Sequence, residues 1–170
     1  PDNAAPAILG GFCMALIENG NVVAERIDIP SQWKAVVAIP DFELHTEKAR
    51  AVLPASYVRS DVVHNIGAVS FLMAAFMYNK PEYLKFGLDD HVHVPYRLGL
   101  IPGSEEVIRS SVKAGAYGAT ISGSGPTIIA FSPSDKAHLV GESMVSTFKH
   151  HGITSSYIVL DFDQSGISAV

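Results

Sequence analysis

Between Phe12 and Ile29 the chain reads as two apolar-rich segments, "FCMALIE" and "NVVAERIDI", separated by Asn19-Gly20. This predicts a β-hairpin, because an Asn-Gly pair tolerates the two positive φ angles of a type I′ turn. "WKAVVAIP" predicts a third strand ending before Pro40, and "HTEKARAVLP" a short helix with Thr46 as a cap and Pro54 as the stop. From Ser60 to Asn79, apolar residues recur at Val63, Ile66, Val69, Leu72, Met73, Phe76 and Met77. That period predicts a long helix with one wide buried face.

Pro81 marks a helix start, and Pro95 and Pro102 mark the edges of short helical pieces. Ser104, Glu105 and Glu106 open another helix that closes at Gly115. "YGATI" and "TIIAF" predict strands on either side of a glycine loop. A helix follows, with Ser134 near its start, Asp135 in its first turn and Lys149, His150 and His151 at its end, as the helix dipole favours. "SSYIVLDF" is the last strand. At the other end, Asp2 or Asn3 caps a helix that tolerates Pro6 only in its first turn. Strands, a helical middle, then β–loop–β, helix and β predict an α/β or α+β sandwich, with helices packed on a mostly antiparallel sheet.

Composition narrows the classes. The 170 residues are 48% hydrophobic, enough for one substantial core. A net charge of -5 makes no case for nucleic acid or an anionic membrane surface as partner. Cys13 is the only cysteine, which excludes an intrachain disulfide and fits a reducing compartment. In "FCMALIE" it reads as a buried structural thiol. The longest apolar stretch, "GAVSFLMAAFM", is too short to cross a membrane, so the reading is soluble and cytoplasmic. Without an initiator Met, the chain reads as a fragment, a cleaved product or an edited sequence.

The candidate chemistry centres on "ISGSGPTII", residues 121–129. It lacks the Gly-Lys-Ser/Thr ending of a P-loop, and a strand rather than a helix follows it. Gly123 and Gly125 can turn successive N–H groups inward as an anion nest, with Ser122, Ser124 and Thr127 adding hydroxyls. A tight strand connection without a ligand fits the local sequence slightly better. Arg97 lies in an apolar stretch, where a guanidinium needs a carboxylate from the protein or from a ligand. His91 and His93 alternate as some zinc ligands do, but no third ligand is near in sequence, and Asp89 and Asp90 read as helical. No metal ligand is therefore assigned. Thr46 and Arg50 share a helical face and read as outward polar groups; His64 and Asn65 are polar positions in an apolar helix, facing a cleft. His138, His150 and His151 read as helix surface. No nucleophile–base arrangement emerges, so no catalytic residue is named.

In this order and spacing, "PDNAAPAILGGF", "LPASYVRSDVVHN", "DDHVHVPYR", "LIPG" and "GAYGATISGSGPTIIAF" closely resemble the C-terminal part of the homoserine kinases, in the GHMP small-molecule kinase superfamily. The resemblance implies an α+β GHMP kinase C-terminal domain over 31–170 and a helix-plus-hairpin remnant of the N-terminal domain over 1–30. It implies, for the intact protein, ATP-dependent phosphorylation of L-homoserine to O-phospho-L-homoserine, a step of threonine biosynthesis. Asp2, Asn3 and Arg97 would bind the substrate, with Arg97 on its carboxylate. Ser122, Gly123, Ser124, Gly125 and Thr127 would form a cleft-lining glycine loop.

Two departures qualify it. The family's Pro-x-x-x-Gly-Leu-Gly-Ser-Ser-Ala loop and its magnesium-binding glutamate do not occur in the sequence, so ATP and Mg²⁺ would be held mainly by an N-terminal half and the 170 residues alone would be inactive. A second arginine expected within "HNIGAVS" is also lacking, leaving carboxylate recognition to Arg97 or another group. A homodimer is implied as well. The alternatives are another GHMP small-molecule kinase, or a non-catalytic ligand-binding or regulatory domain of the same fold.

Overall fold

The computed structural model describes residues 2–168. Helix α1 (Ala4–Leu9) leads into β1 (Phe12–Glu18) and β2 (Asn21–Ile27), which pair antiparallel in register Glu18↔Asn21. Asn19 and Gly20 turn the chain at φ 50° and 79°, the two positive angles expected of the hairpin. β3 (Trp33–Pro40) follows, then α2 (Thr46–Ala51), the long α3 (Arg59–Met77), a 3₁₀ turn at Pro81–Tyr83, α4 (Leu84–Gly87) and α5 (Val94–Leu98). The chain closes with α6 (Ser104–Lys113), β4 (Gly118–Ile121), β5 (Ile128–Pro133), α7 (Ala137–His150) and β6 (Ser155–Leu160). β3 includes Pro40 rather than stopping before it; a strand end tolerates the missing N–H.

Four strands form one antiparallel sheet in the order β4-β5-β3-β6. The pleat puts Val36 and Ala38 of β3 on one face with Ile128 and Ala130 of β5. That face is closed by Val107 of α6 and by Val140, Met144 and Phe148 of α7, all fully buried. This is the α+β arrangement of helices on an antiparallel sheet. A second apolar cluster joins the hairpin and α3 to the sheet's end. Trp33 stacks obliquely on Phe76 at 5.4 Å, Phe76 on Phe12 at 4.8 Å, and the Trp33 indole donates to Asn79 Oδ1 at 3.0 Å.

The wide buried face expected of α3 is a correction. Only Ala68, Ala75 and Phe76 are buried, while Val63, Ile66, Val69 and Met77 are more than half exposed. The helix packs through its C-terminal turns, where Gly87 sits against the backbone of Leu72; a Cβ there would lie 2.7 Å away. Its first turns leave Val62, Val63 and Ile66 exposed. With 19 residues and a mean hydropathy of 1.3, α3 is long and apolar enough to cross a membrane, unlike the shorter unbroken run in the sequence; core helices of soluble proteins meet the same test. Cys13 is half-buried, and its thiol reaches Gly10 O at 3.1 Å.

Two glycines in helices should respond oppositely to a methyl group. In α7 a Cβ on Gly141 would stand 2.2 Å from the Tyr157 ring, whereas Gly67 in α3 faces open space. Gly141→Ala should lower stability by about 1–3 kcal/mol through overpacking. Gly67→Ala should raise it by about 0.5–1 kcal/mol through helix propensity. Urea melts of both variants check the opposite signs.

Candidate functional site

A cavity of about 510 Å³ opens where the start of α1, α2, the 87–94 segment, α5, the end of β4 and the glycine loop meet. Its polar wall comprises Asp2, Asn3, Thr46, Arg50, Asp90, His93, Arg97, Thr120 and Ser124, with the Gly123 backbone beside them. Of the residues singled out in sequence, Asp2, Asn3, Arg97, Gly123 and Ser124 come together here; Ser122, Gly125 and Thr127 do not line the wall.

Arg97 is half-buried on α5. Its Nε donates to Ala49 O and its Nη1 to Gly123 O, each at 3.2 Å. No carboxylate pairs with it among the described residues, so the protein-carboxylate alternative is not realised. Two carbonyls fix the guanidinium and leave further N–H donors uncommitted. Arg50 stands on α2, one turn beyond Thr46, exposed and without a side-chain hydrogen bond or ion pair among the described residues. Thr46 is the first residue of α2, not its cap, and its Oγ1 lies 3.4 Å from Ser124 Oγ. Both line the cavity rather than face outward. Asn3 stands at the N-cap position of α1 in helical conformation, and its side chain makes no capping bond.

The glycine loop is both a tight connection and a wall. Ser122 N–H donates to Thr127 O at 2.8 Å and Gly125 N–H to Ser122 O at 3.0 Å, which closes the turn. Gly123 and Gly125 have φ of 59° and 82°, and the Gly125–Pro126 bond is cis. A Cβ on Gly125 would lie 2.7 Å from Ile101, so that glycine serves packing, whereas Gly123 borders open space. The N–H groups of Gly123 and Ser124 make no hydrogen bond among the described residues, and the nest is narrower than the full loop.

Asp89 and Asp90 are not helical; they lie between α4 and α5. Asp90 organises this corner. Its Oδ1 accepts from Asn65 Nδ2 (2.7 Å) and Val92 N–H (2.9 Å), its Oδ2 from His93 N–H (3.0 Å) and Val94 N–H (2.7 Å). Asn65 also accepts from His91 N–H at 2.7 Å. Asn65 and His64 therefore face this segment and not the cavity. Partial burial raises the Asp90 pKa, but the bonds from Asn65, Val92, Val94 and His93 outweigh it, and the pKa falls below the usual carboxylate value. Thr120 went unread in the sequence, and Asp90 and His93 were weighed there only as metal ligands. An Asp upstream of a Pro-led helix start was the available signal for Asp90.

A lowered pKa means the Asp90 contribution is complete above the unfolded-state value of about 3.9 and is lost as pH falls through the folded value. Asp90→Asn should therefore cost about 1–3 kcal/mol at pH 7. The gap from the parent should narrow towards pH 3, as urea melts at both pH values would reveal.

Residues 82–150 match the family described as GHMP kinases C terminal. The chain is 39% identical to the homoserine kinase of Desulfitobacterium hafniense over 170 residues, all of this chain and 57% of that protein. It is 43% identical to the homoserine kinase of Carboxydothermus hydrogenoformans over 166 residues, 98% of this chain and 54% of that one. The crystal structure of the homoserine kinase from Cytophaga hutchinsonii superposes with a TM-score of 0.90 at 32% identity, covering 97% of this chain and 52% of its own. The chain thus spans about half the length of the relatives it matches.

Proposed function

From a chain that carries a GHMP kinase C-terminal domain and is similar throughout to homoserine kinases, we propose that the protein it serves phosphorylates the side-chain hydroxyl of L-homoserine at the expense of ATP. The observation that carries this reading is the pair of arginines, Arg50 and Arg97, in one small cavity, neither of them paired with a carboxylate of the described residues. A small zwitterion with a free carboxylate fits that charge arrangement. Arg50, on α2 and not on the helix where a second arginine was expected, is the other group that carboxylate recognition calls for.

Arg97 and Arg50 hold the carboxylate. Asp2, Asn3 and Thr46 supply the polar contacts for the ammonium and hydroxyl ends, and Gly123 and Ser124 offer two N–H donors to negative charge. The homoserine oxygen forms a bond to the γ-phosphorus as the bond to the ADP oxygen breaks, and the hydroxyl proton leaves to solvent. When bound, ATP with Mg²⁺ supplies the phosphoryl group and neutralises its charge. Among residues of this chain Asp90 is a poor magnesium ligand, because four donors already occupy its carboxylate. The nucleotide and metal are held mainly by the portion of the longer relatives that this chain does not span. The catalytic contribution here is position and electrostatics.

The full-length protein should release ADP with homoserine well above its rate with mevalonate or shikimate; equal or background rates would reject a homoserine kinase. Arg97→Ala should lower kcat/KM for homoserine roughly 10- to 100-fold, as loss of a charged hydrogen bond of ~1.5–3 kcal/mol implies. The 170 residues alone should give no turnover. A non-catalytic binding domain would instead bind homoserine at Arg50 and Arg97, with no ADP release by the full-length protein.

A further inference from the structure

Beside the cavity, outside its wall, the fold assembles a cluster that sequence separation hides. His64 of α3 and His91 of the 88–93 segment stack ring on ring, with centroids 3.8 Å apart and planes 12° from parallel. Both rings address one carboxylate. His64 Nε2 is 3.0 Å from Asp89 Oδ2, and His91 Nε2 is 3.8 Å from Asp89 Oδ1. One ligand atom from each of the three residues lies within 4.8 Å of the others. Behind His91, Asp61 Oδ1 stands 3.4 Å from Nδ1, which favours a proton on Nδ1 and leaves Nε2 as the lone-pair nitrogen. Asn65 pins the same residue by accepting its backbone N–H at 2.7 Å.

A role as simple ion pairs fits this arrangement poorly. The two rings stack and both turn Nε2 toward the same Asp89 side chain, so three donor atoms share one small space. Two imidazole nitrogens and one carboxylate on the same side, open to water, are the donor set of a borderline divalent transition metal. Neighbouring ligands of a tetrahedral ion with bonds of about 2.0–2.2 Å stand about 3.4 Å apart, so His64 Nε2 and Asp89 Oδ2 at 3.0 Å are close enough, while His91 Nε2 at 3.8 Å from Asp89 Oδ1 is too far. The exposed rings close that gap by splaying from their stack about the χ torsions.

We propose that His64, Asp89 and His91 form a binding site for a zinc-class divalent cation, separate from the substrate cavity, with Asp61 orienting His91. The cation takes the space between His64 Nε2, Asp89 Oδ2 and His91 Nε2 and displaces the hydrogen bond of His64 Nε2 with the Asp89 backbone O, and water completes the coordination. Because His64 belongs to α3 while Asp89 and His91 flank Asp90, the bound ion ties α3 to the segment that sets α5. The inference is independent of the substrate assigned to the cavity.

Isothermal titration of the metal-stripped chain with Zn²⁺ tests it directly. One ion per chain should bind. Co²⁺ should give visible d–d bands, and of the seven histidines, His64 and His91 should show the largest NMR shifts with Zn²⁺. His64→Ala, His91→Ala and Asp89→Asn should each weaken binding at least about tenfold, and Asp61→Asn about 10- to 100-fold; His150→Ala should change nothing. Thermal melts in chelator establish that each variant is folded, and His64→Gln and His91→Gln replace any alanine variant that is not. No 1:1 binding below ~100 µM Zn²⁺, binding that survives loss of both histidines, or equal occupancy by Mg²⁺, which prefers all-oxygen ligands, overturns the proposal.

Discussion

A five-residue helix does not hold its shape alone in water, because nucleation costs more than so few hydrogen bonds return. Helix α5 persists because the Asp90 carboxylate takes three backbone N–H groups at its entrance, while Asn65 ties that carboxylate to α3. Arg97 rides on α5. Its guanidinium is then aimed by two carbonyls on other elements, Ala49 at the end of α2 and Gly123 in the glycine loop. Four separate parts of the chain thus converge on one cation. A change at Asn65 reaches Arg97 without touching it.

The sheet supplies the rigid base for this convergence. β3, paired on both edges, buries Val36 and Ala38 beneath α6 and α7 and anchors the strand pair β4–β5 that carries the glycine loop. Short segments and loops then hold the chemistry, as is common where a scaffold is fixed and its loops bind ligands. The arginines cost little in isolation. Arg50 remains solvated, and Arg97 has exchanged water for carbonyl oxygens, so both keep most of their charge effect for an incoming anion.

Much of the fold was legible. The Asn19-Gly20 turn, the prolines at helix starts and the apolar run in "WKAVVAIP" each act within a few residues, and each element stands near its expected place. Periodicity misled in α3, where an apolar stripe announced burial but only Ala68, Ala75 and Phe76 are buried. A stripe records what a helix can bury and leaves its partner unstated. Arg97 was legible because a guanidinium among apolar residues poses a local problem. Thr46 and Arg50 were not, since polar residues on a short exposed helix look alike whether they face solvent or a cavity.

Local order is therefore what the sequence by itself determined: where strands and helices run, where glycine must supply positive φ, and which charged residue needed polar partners. Family resemblance added the fold and the class of reaction. Tertiary structure alone decided that Arg50 joins Arg97, that Asp90 spends its charge on backbone donors, and that His64 meets His91 across 27 residues of chain. The reason is range. Turn and helix preferences come from atoms a few bonds apart, whereas a site is made by contacts between segments whose separation along the chain leaves no trace in either one.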